Sequence, residues 1–155
     1  SNTLLRNMQL FGVDLYLWAI PVAWLTAFIP LAVRNTMIPK LAGHFNNIHP
    51  RTQIQEFEAA KKISSADARF LERCSAAHNN GLENLPIFAV CLLFAMQRGV
   101  LPAATLNYLS AAYLVVRLVY NGLYIGGTTR PIASVRSCAW LAGIATCFAF
   151  VFKSI

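Results

Sequence analysis

Arg73, His78, Asn80 and Glu83 fall within the segment R-C-S-A-A-H-N-N-G-L-E-N-L-P-I-F, at the mouth of a strongly apolar stretch. Ionisable groups are expensive beside hydrocarbon, so their presence there points to a task. Arg69, Arg73, Asn80 and Glu83 are separated by four, seven and three residues, helical intervals that put them on one stripe of a single helix. A second stripe follows downstream, with Arg117, Tyr120 and Tyr124 three and four apart in another apolar run. Arginine grips a carboxylate through two parallel hydrogen bonds, glutamate accepts from an ammonium, and tyrosine and asparagine direct neutral hydrogen bonds. Such a set suits a small zwitterionic or anionic ligand. The same residues admit a plainer account, a buried ion pair between Arg117 and Glu83 with the tyrosines filling core or interface space. Residue types alone do not choose between the two. Arg69 reads as an anchor at phospholipid head groups. His78, taken alone, reads first as a satisfied hydrogen bonder, and no serine or cysteine with a neighbouring base makes a nucleophilic triad. His44 and His49, five apart in a loop without clustered carboxylates or cysteines, give no metal site.

The elements that must position these residues are membrane helices. Of 155 residues 57% are hydrophobic and 12% charged, about half the charged fraction of an ordinary soluble domain. Four stretches, 15–33, 84–97, 99–116 and 137–152, are free of Asp, Glu, Lys and Arg. With about 20 apolar residues needed to cross, they predict four spans at about 11–34, 68–97, 100–126 and 132–153. The whole chain, 1–155, is then one all-α transmembrane domain. The first segment runs straight into Arg34 without a small-residue cleavage site, so it is expected to be retained.

Short connections near 98–102 and 126–131 favour antiparallel neighbours and an up-down-up-down four-helix bundle. The connection over roughly 34–66 combines turn chemistry with a short interfacial helix offering Ile54, Phe57 and Ile63 to lipid. Ser64, Ser65 and Asp67 are N-cap choices for the helix that follows.

The net charge of +7 follows the ends of the membrane segments, which excludes nucleic acid as its explanation. Arg34, Lys40, Arg51, Lys61, Lys62, Arg69 and Arg73 flank the first connection, and Arg130 and Arg136 the third. Arg6, Arg98 and Lys153 stand opposite. Nine basic residues against three place the first and third connections in the cytosol. On that topology Glu83 lies about ten residues into the second span and Arg117 about eight before the end of the third, some 12–15 Å deep in each case. The stripes share a depth. Cys74, Cys91, Cys138 and Cys147 lack paired C-x-x-C spacing and read as small core residues.

The pattern E-R-C-x-x-A-H-x-N-x-x-E-N-x-P-x-F from Glu72 to Phe88, followed by R-L-V-Y-N-G-L-Y from Arg117 to Tyr124, resembles the second- and third-helix signatures of the MAPEG proteins, membrane-associated proteins in eicosanoid and glutathione metabolism. The resemblance covers residues 10–152. It implies a homotrimer of four-helix protomers holding glutathione between neighbours near the cytosolic side. It also implies roles. Asn80 and Glu83 match positions on the glutathione backbone, Arg73 an arginine at the pocket entrance, and Arg117, Tyr120 and Tyr124 the partner helix. His78 lies inside the first motif and is counted with the glutathione-binding set. Arg136, in V-R-S, matches the catalytic arginine, with Arg130 the second choice and otherwise a glutathione contact. Ala76 stands where many animal members carry a further arginine, and the form of the first motif is closest to the microsomal glutathione transferase-like bacterial and fungal branch. The interval from Tyr124 to Arg136 is longer than in the eicosanoid synthases.

The function so implied is a multi-pass membrane enzyme joining a glutathione thiolate to a lipophilic electrophile, or using it to reduce one. Its setting is the endoplasmic reticulum or another intracellular membrane in a eukaryote, the inner membrane in a bacterium. An arginine beside the sulfur favours the thiolate, the reactive nucleophile. Two alternatives keep the pocket: a glutathione-independent isomerase or cyclase of a hydrophobic metabolite, with Arg136, Tyr124 or His78 as acid or electrostatic stabiliser, and a non-catalytic lipid-binding accessory protein.

Overall fold

Three prolines punctuate the first apolar run without ending it. In the computed structural model, which describes residues 9–10 and 13–155, a single helix α1 spans Leu15–Ala42 with Pro21, Pro30 and Pro39 inside it. A proline supplies no N–H and crowds the carbonyl four residues before it, so each leaves a backbone acceptor to be satisfied from elsewhere. At Pro30 the substitute is visible at Thr26. The Thr26 carbonyl accepts from Asn121 Nδ2 at 3.0 Å, and the adjacent Ala27 carbonyl accepts from His78 Nδ1 at 2.8 Å.

The helix also runs past Arg34, where the sequence placed the end of the first span. It stops at Gly43, whose φ of 81° suits a residue without Cβ and whose N–H reaches the Pro39 carbonyl at 3.0 Å. Arg34 is buried because the connection folds back over it, donating to the Pro50 carbonyl and, at 3.1 Å, to Asn35 Oδ1. A charge ends an apolar pattern without ending a helix. Residues 11–12 of that expected span, and Arg6, lie outside the described residues.

Helix α2, Gln53–Ala59, differs from its expectation too. Ile54, Phe57 and Ile63 do not face lipid; they are buried with Ile38 and Leu71 as a small second core that fastens the connection to the ends of the long helices. Helix α3, Ser65–Arg98, begins where Ser64 Oγ accepts from the Asp67 N–H at 3.1 Å and ends at Gly99, φ 65°. At 34 residues it is about 51 Å long, longer than the ~30 Å hydrocarbon layer is thick. Helix α4, Ala103–Gly126, follows Pro102, and α5, Arg130–Phe152, carries Pro131 in its first turn, where the missing N–H is harmless. Two short strands, β1 (Gln9–Leu10) and β2 (Val13–Asp14), pair antiparallel ahead of α1.

Against four expected spans, α1, α4 and α5 are long and apolar enough to cross a membrane. Helix α3 is not among these three, because its uncharged part, 84–97, is short and runs directly into the polar stripe. Helix α1 packs on α3 and α4, and α5 on α4 and α3. Gly81 permits a close approach of α3 to α1: a Cβ there would lie 2.6 Å from Ala27 Cβ. The main core stacks Phe88 on Tyr113 with ring centroids 3.9 Å apart and sets Phe150 edge-on at 6.1 Å. The outward faces carry exposed Leu25, Val115 and Leu141, as lipid-facing helices do. Hydrogen bonds mark the two ends. Arg73 Nε donates to the Ile125 carbonyl at one, and Arg98 Nε to the Ser154 carbonyl and Asn107 Nδ2 to Asp14 Oδ1 at the other.

Candidate functional site

The two polar stripes meet through a single oxygen. Asn80 Oδ1 on α3 accepts from Arg117 Nη1 and Nη2 on α4, both at 3.0 Å, and lies 3.3 Å from its neighbour Asn84 Nδ2. Arg117 is buried. The partner of Arg117 is therefore an amide. The ion pair between Arg117 and Glu83 offered by the sequence does not form, since Glu83 is one turn further along and exposed.

From Arg117 an alternation of cations and rings crosses to α5. The guanidinium sits 4.5 Å from the centroid of the Tyr120 ring, Tyr120 and Tyr124 lie 5.6 Å apart, and Arg136 sits 4.2 Å above Tyr124. Helical spacing puts Tyr120 and Tyr124 on one face of α4, while the short link from Gly127 to Thr129 returns the chain so that the second turn of α5 faces them. A cavity of ≈ 250 Å³ results, lined by Asn80, Tyr120, Tyr124, Arg136, Ser137 and Trp140.

Tyr124 also borders a second cavity of ≈ 280 Å³ with Arg69, Glu72, Arg73 and Ala76. Arg69 and Arg73 in turn line a third, ≈ 590 Å³, that extends to Arg130 at the start of α5. The three adjoin in a row, through Tyr124 and then through Arg69 and Arg73, with the Arg136 cavity innermost and the Arg130 cavity outermost, at the helix ends. Arg136 is the one arginine in the innermost part.

The structure thus gathers Asn80, Tyr120, Tyr124 and Arg136 in one cavity, places Arg73 at the next, and sets Arg130 in the outermost. Three expected contacts lie elsewhere. Arg117 stands behind Asn80 instead of lining a cavity, because burial demands a hydrogen-bond partner and Asn80 supplies it. His78 turns to α1, where it meets the Ala27 carbonyl, and packs against the Phe28 ring at 4.8 Å. Glu83 lines none of the three cavities and faces outward midway along α3. Sequence reasoning missed Glu72, Ser137 and Trp140 as lining residues. For Trp140 the signal was present, since it lies four residues from Arg136 on the same helix face. Arg69, read as a head-group anchor, lines two of the cavities.

Among known proteins, no curated protein and no solved structure matches the chain. A model of the MAPEG family does, over residues 15–155. That match takes in α1 through α5, both polar stripes that join at Asn80 and the arginine that closes the cavity from α5, and on this ground the chain belongs to the MAPEG family.

Proposed function

We propose that the protein is a membrane-embedded, glutathione-dependent transferase or peroxidase acting on a lipophilic electrophile, with Arg136 as its catalytic residue. One observation carries the reading: Arg136, from a helix that neither polar stripe occupies, sits 4.2 Å above the Tyr124 ring in the cavity that Asn80 reaches from the opposite wall. Its fit to glutathione rests on the donors present. Asn80 Oδ1 is already taken by Arg117, which leaves the Nδ2 hydrogens as donors for a ligand carbonyl. Arg73, at the adjoining cavity, suits a carboxylate, and the hydroxyls of Tyr120, Tyr124 and Ser137 supply further polar contacts.

A thiol with a pKa near 8.5 is mostly protonated at neutral pH. A guanidinium beside the sulfur stabilises the anion and lowers that value, so the thiol proton leaves to water and the thiolate persists. In transfer, a sulfur lone pair forms the new C–S bond and the leaving group departs with the electrons of the bond it breaks. In reduction, the sulfur attacks the distal oxygen of a hydroperoxide, the O–O bond breaks, and an alcohol and a sulfenic acid form; a second glutathione converts the latter to disulfide and water. Trp140 and the apolar outer face of α5 offer the lipophilic partner a route from the bilayer.

The assembly belongs to the same reading: four long helices in an up-down-up-down bundle, three protomers together. An exposed Glu83 midway along α3, next to exposed Ile87 and Val90, supports a neighbouring chain there, because a carboxylate facing lipid is costly. In that arrangement Glu83 reaches glutathione held between protomers. The excess of basic residues at the first and third connections supports their placement in the cytosol. Calorimetric titration of glutathione into the detergent-purified protein tests the whole: saturable binding, with thiolate absorbance in the bound state, is expected. Absence of binding would hand the site to a glutathione-independent isomerase or a lipid-binding accessory role.

A further inference from the structure

We propose that the outermost cavity, between the first turns of α3 and α5, is a binding site for a phosphate group, supplied by an anionic lipid of the adjoining leaflet. At ≈ 590 Å³ it has more than twice the volume of the cavity at Arg136. Arg69, Arg73 and Arg130 line it with Thr128 and Thr129, and neither Asp nor Glu is among its lining residues.

Three like charges on one cavity wall repel unless an anion joins them. The other arginines of the groove have company: Arg117 has Asn80 and the Tyr120 ring, and Arg136 has the Tyr124 ring. Arg69 and Arg130 have no partner among the described residues. Arg73 uses only its Nε, on the Ile125 carbonyl at 3.1 Å, which holds the side chain in place and leaves both terminal nitrogens available.

The backbone adds to this. Helix α5 opens at the cavity, and Thr129, its N-cap residue, makes no side-chain capping bond; Pro131 has no N–H and the Ala133 N–H is taken by the Thr129 carbonyl, so the N–H groups of Arg130 and Ile132 and two threonine hydroxyls remain as donors. Helix starts favour negative charge. So many donors outnumber the two oxygens of a carboxylate and match the larger acceptor set of a phosphate. Position selects the source. The cavity lies where α3 and α5 begin and α4 ends, at the helix ends where lipid head groups sit, and basic pockets between membrane helices at that level take anionic head groups. The site does not require the thiol chemistry proposed above.

The test uses the intact protein in mild detergent, titrated with dioleoylphosphatidic acid, with dioleoylphosphatidylcholine and with inorganic phosphate, binding being read by native mass spectrometry for the lipids and calorimetry for phosphate. Phosphatidic acid is expected to bind once per protomer in preference to phosphatidylcholine. Arg69→Gln and Arg130→Gln, both at exposed side chains, are each expected to weaken it about tenfold, the scale of one charge-assisted contact. Arg136→Leu, in the inner cavity, is expected to leave it unchanged. Inorganic phosphate binding with the same dependence on Arg69 and Arg130, and displacing the lipid, would keep the phosphate site and move its source to a soluble phosphoryl compound. Two results overturn the proposal: no preference for phosphatidic acid together with no phosphate binding, or an equal loss in Arg51→Gln, an exposed charge of the first connection outside the cavity, which would mean diffuse attraction only.

Discussion

Arg117 turns both terminal nitrogens onto one oxygen of Asn80, each at 3.0 Å, and so fixes which way the Asn80 amide faces. With Oδ1 thus held, the amide can offer only its N–H groups to a ligand. Asn80→Asp makes the point testable. The new carboxylate pairs with Arg117 and removes the donor, so glutathione affinity is expected to fall by about 1.5–3 kcal/mol, as when a charged or strongly polarised hydrogen bond is lost. Thermal unfolding should show stability held or raised. A variant with lower stability and undiminished affinity would place Asn80 outside the ligand site.

Glu83 is exposed on the protomer, so Glu83→Gln is expected to leave thermal stability of the protomer unchanged. If a neighbouring chain and glutathione meet at that residue, calorimetry should show affinity reduced about tenfold or more. Native mass spectrometry of the same sample should read three chains. A stable monomer that binds glutathione normally would contradict both parts.

At Arg136 the expectation separates chemistry from binding. Arg136→Leu should abolish conjugation of chlorodinitrobenzene and the thiolate absorbance while changing glutathione affinity only a few fold, because the lost interaction is with the activated sulfur. Arg130 lies in the outermost cavity, away from Tyr124, and Arg130→Leu should retain turnover. The reverse pattern would assign the catalytic role to Arg130.

Gly81 brings α3 against α1 where the stripes meet. In Gly81→Ala the added methyl would sit 2.6 Å from Ala27 Cβ and force the helices apart. Overpacking of that kind costs about 1–3 kcal/mol, so the thermal midpoint should drop, and glutathione affinity with it as Asn80 and Arg117 separate. An unchanged midpoint would show that the helix pair adjusts freely.

Orientation can be read by labelling. With Cys74, Cys91, Cys138 and Cys147 replaced, a cysteine substituted for exposed Lys61 in the first connection should react with a membrane-impermeant maleimide from the cytosolic side only. Reaction from the opposite side would invert the assignment drawn from the basic residues.

The positions of the long helices and the two stripes were legible because helical periodicity is a local property: intervals of three, four and seven put residues on one face whatever lies opposite. The shared depth of the stripes followed from chain direction and rise per residue, and the bond between Asn80 and Arg117 agrees with it. Partnership across helices is not local. Asn80 and Glu83 lie one turn apart on the same stripe, and only the packing of α3 against α4 gives Arg117 to the amide and leaves the carboxylate outside. The same holds for Arg34, whose burial depends on a connection folding back, and for His78, whose partner is a backbone carbonyl of another helix. Residue types and spacing determined that this chain is a helical membrane protein with two polar faces; the packing of its helices decided which polar groups satisfy one another and which remain to meet a ligand, because in a low-dielectric interior an unpaired polar group is costly and only packing brings a donor to its acceptor.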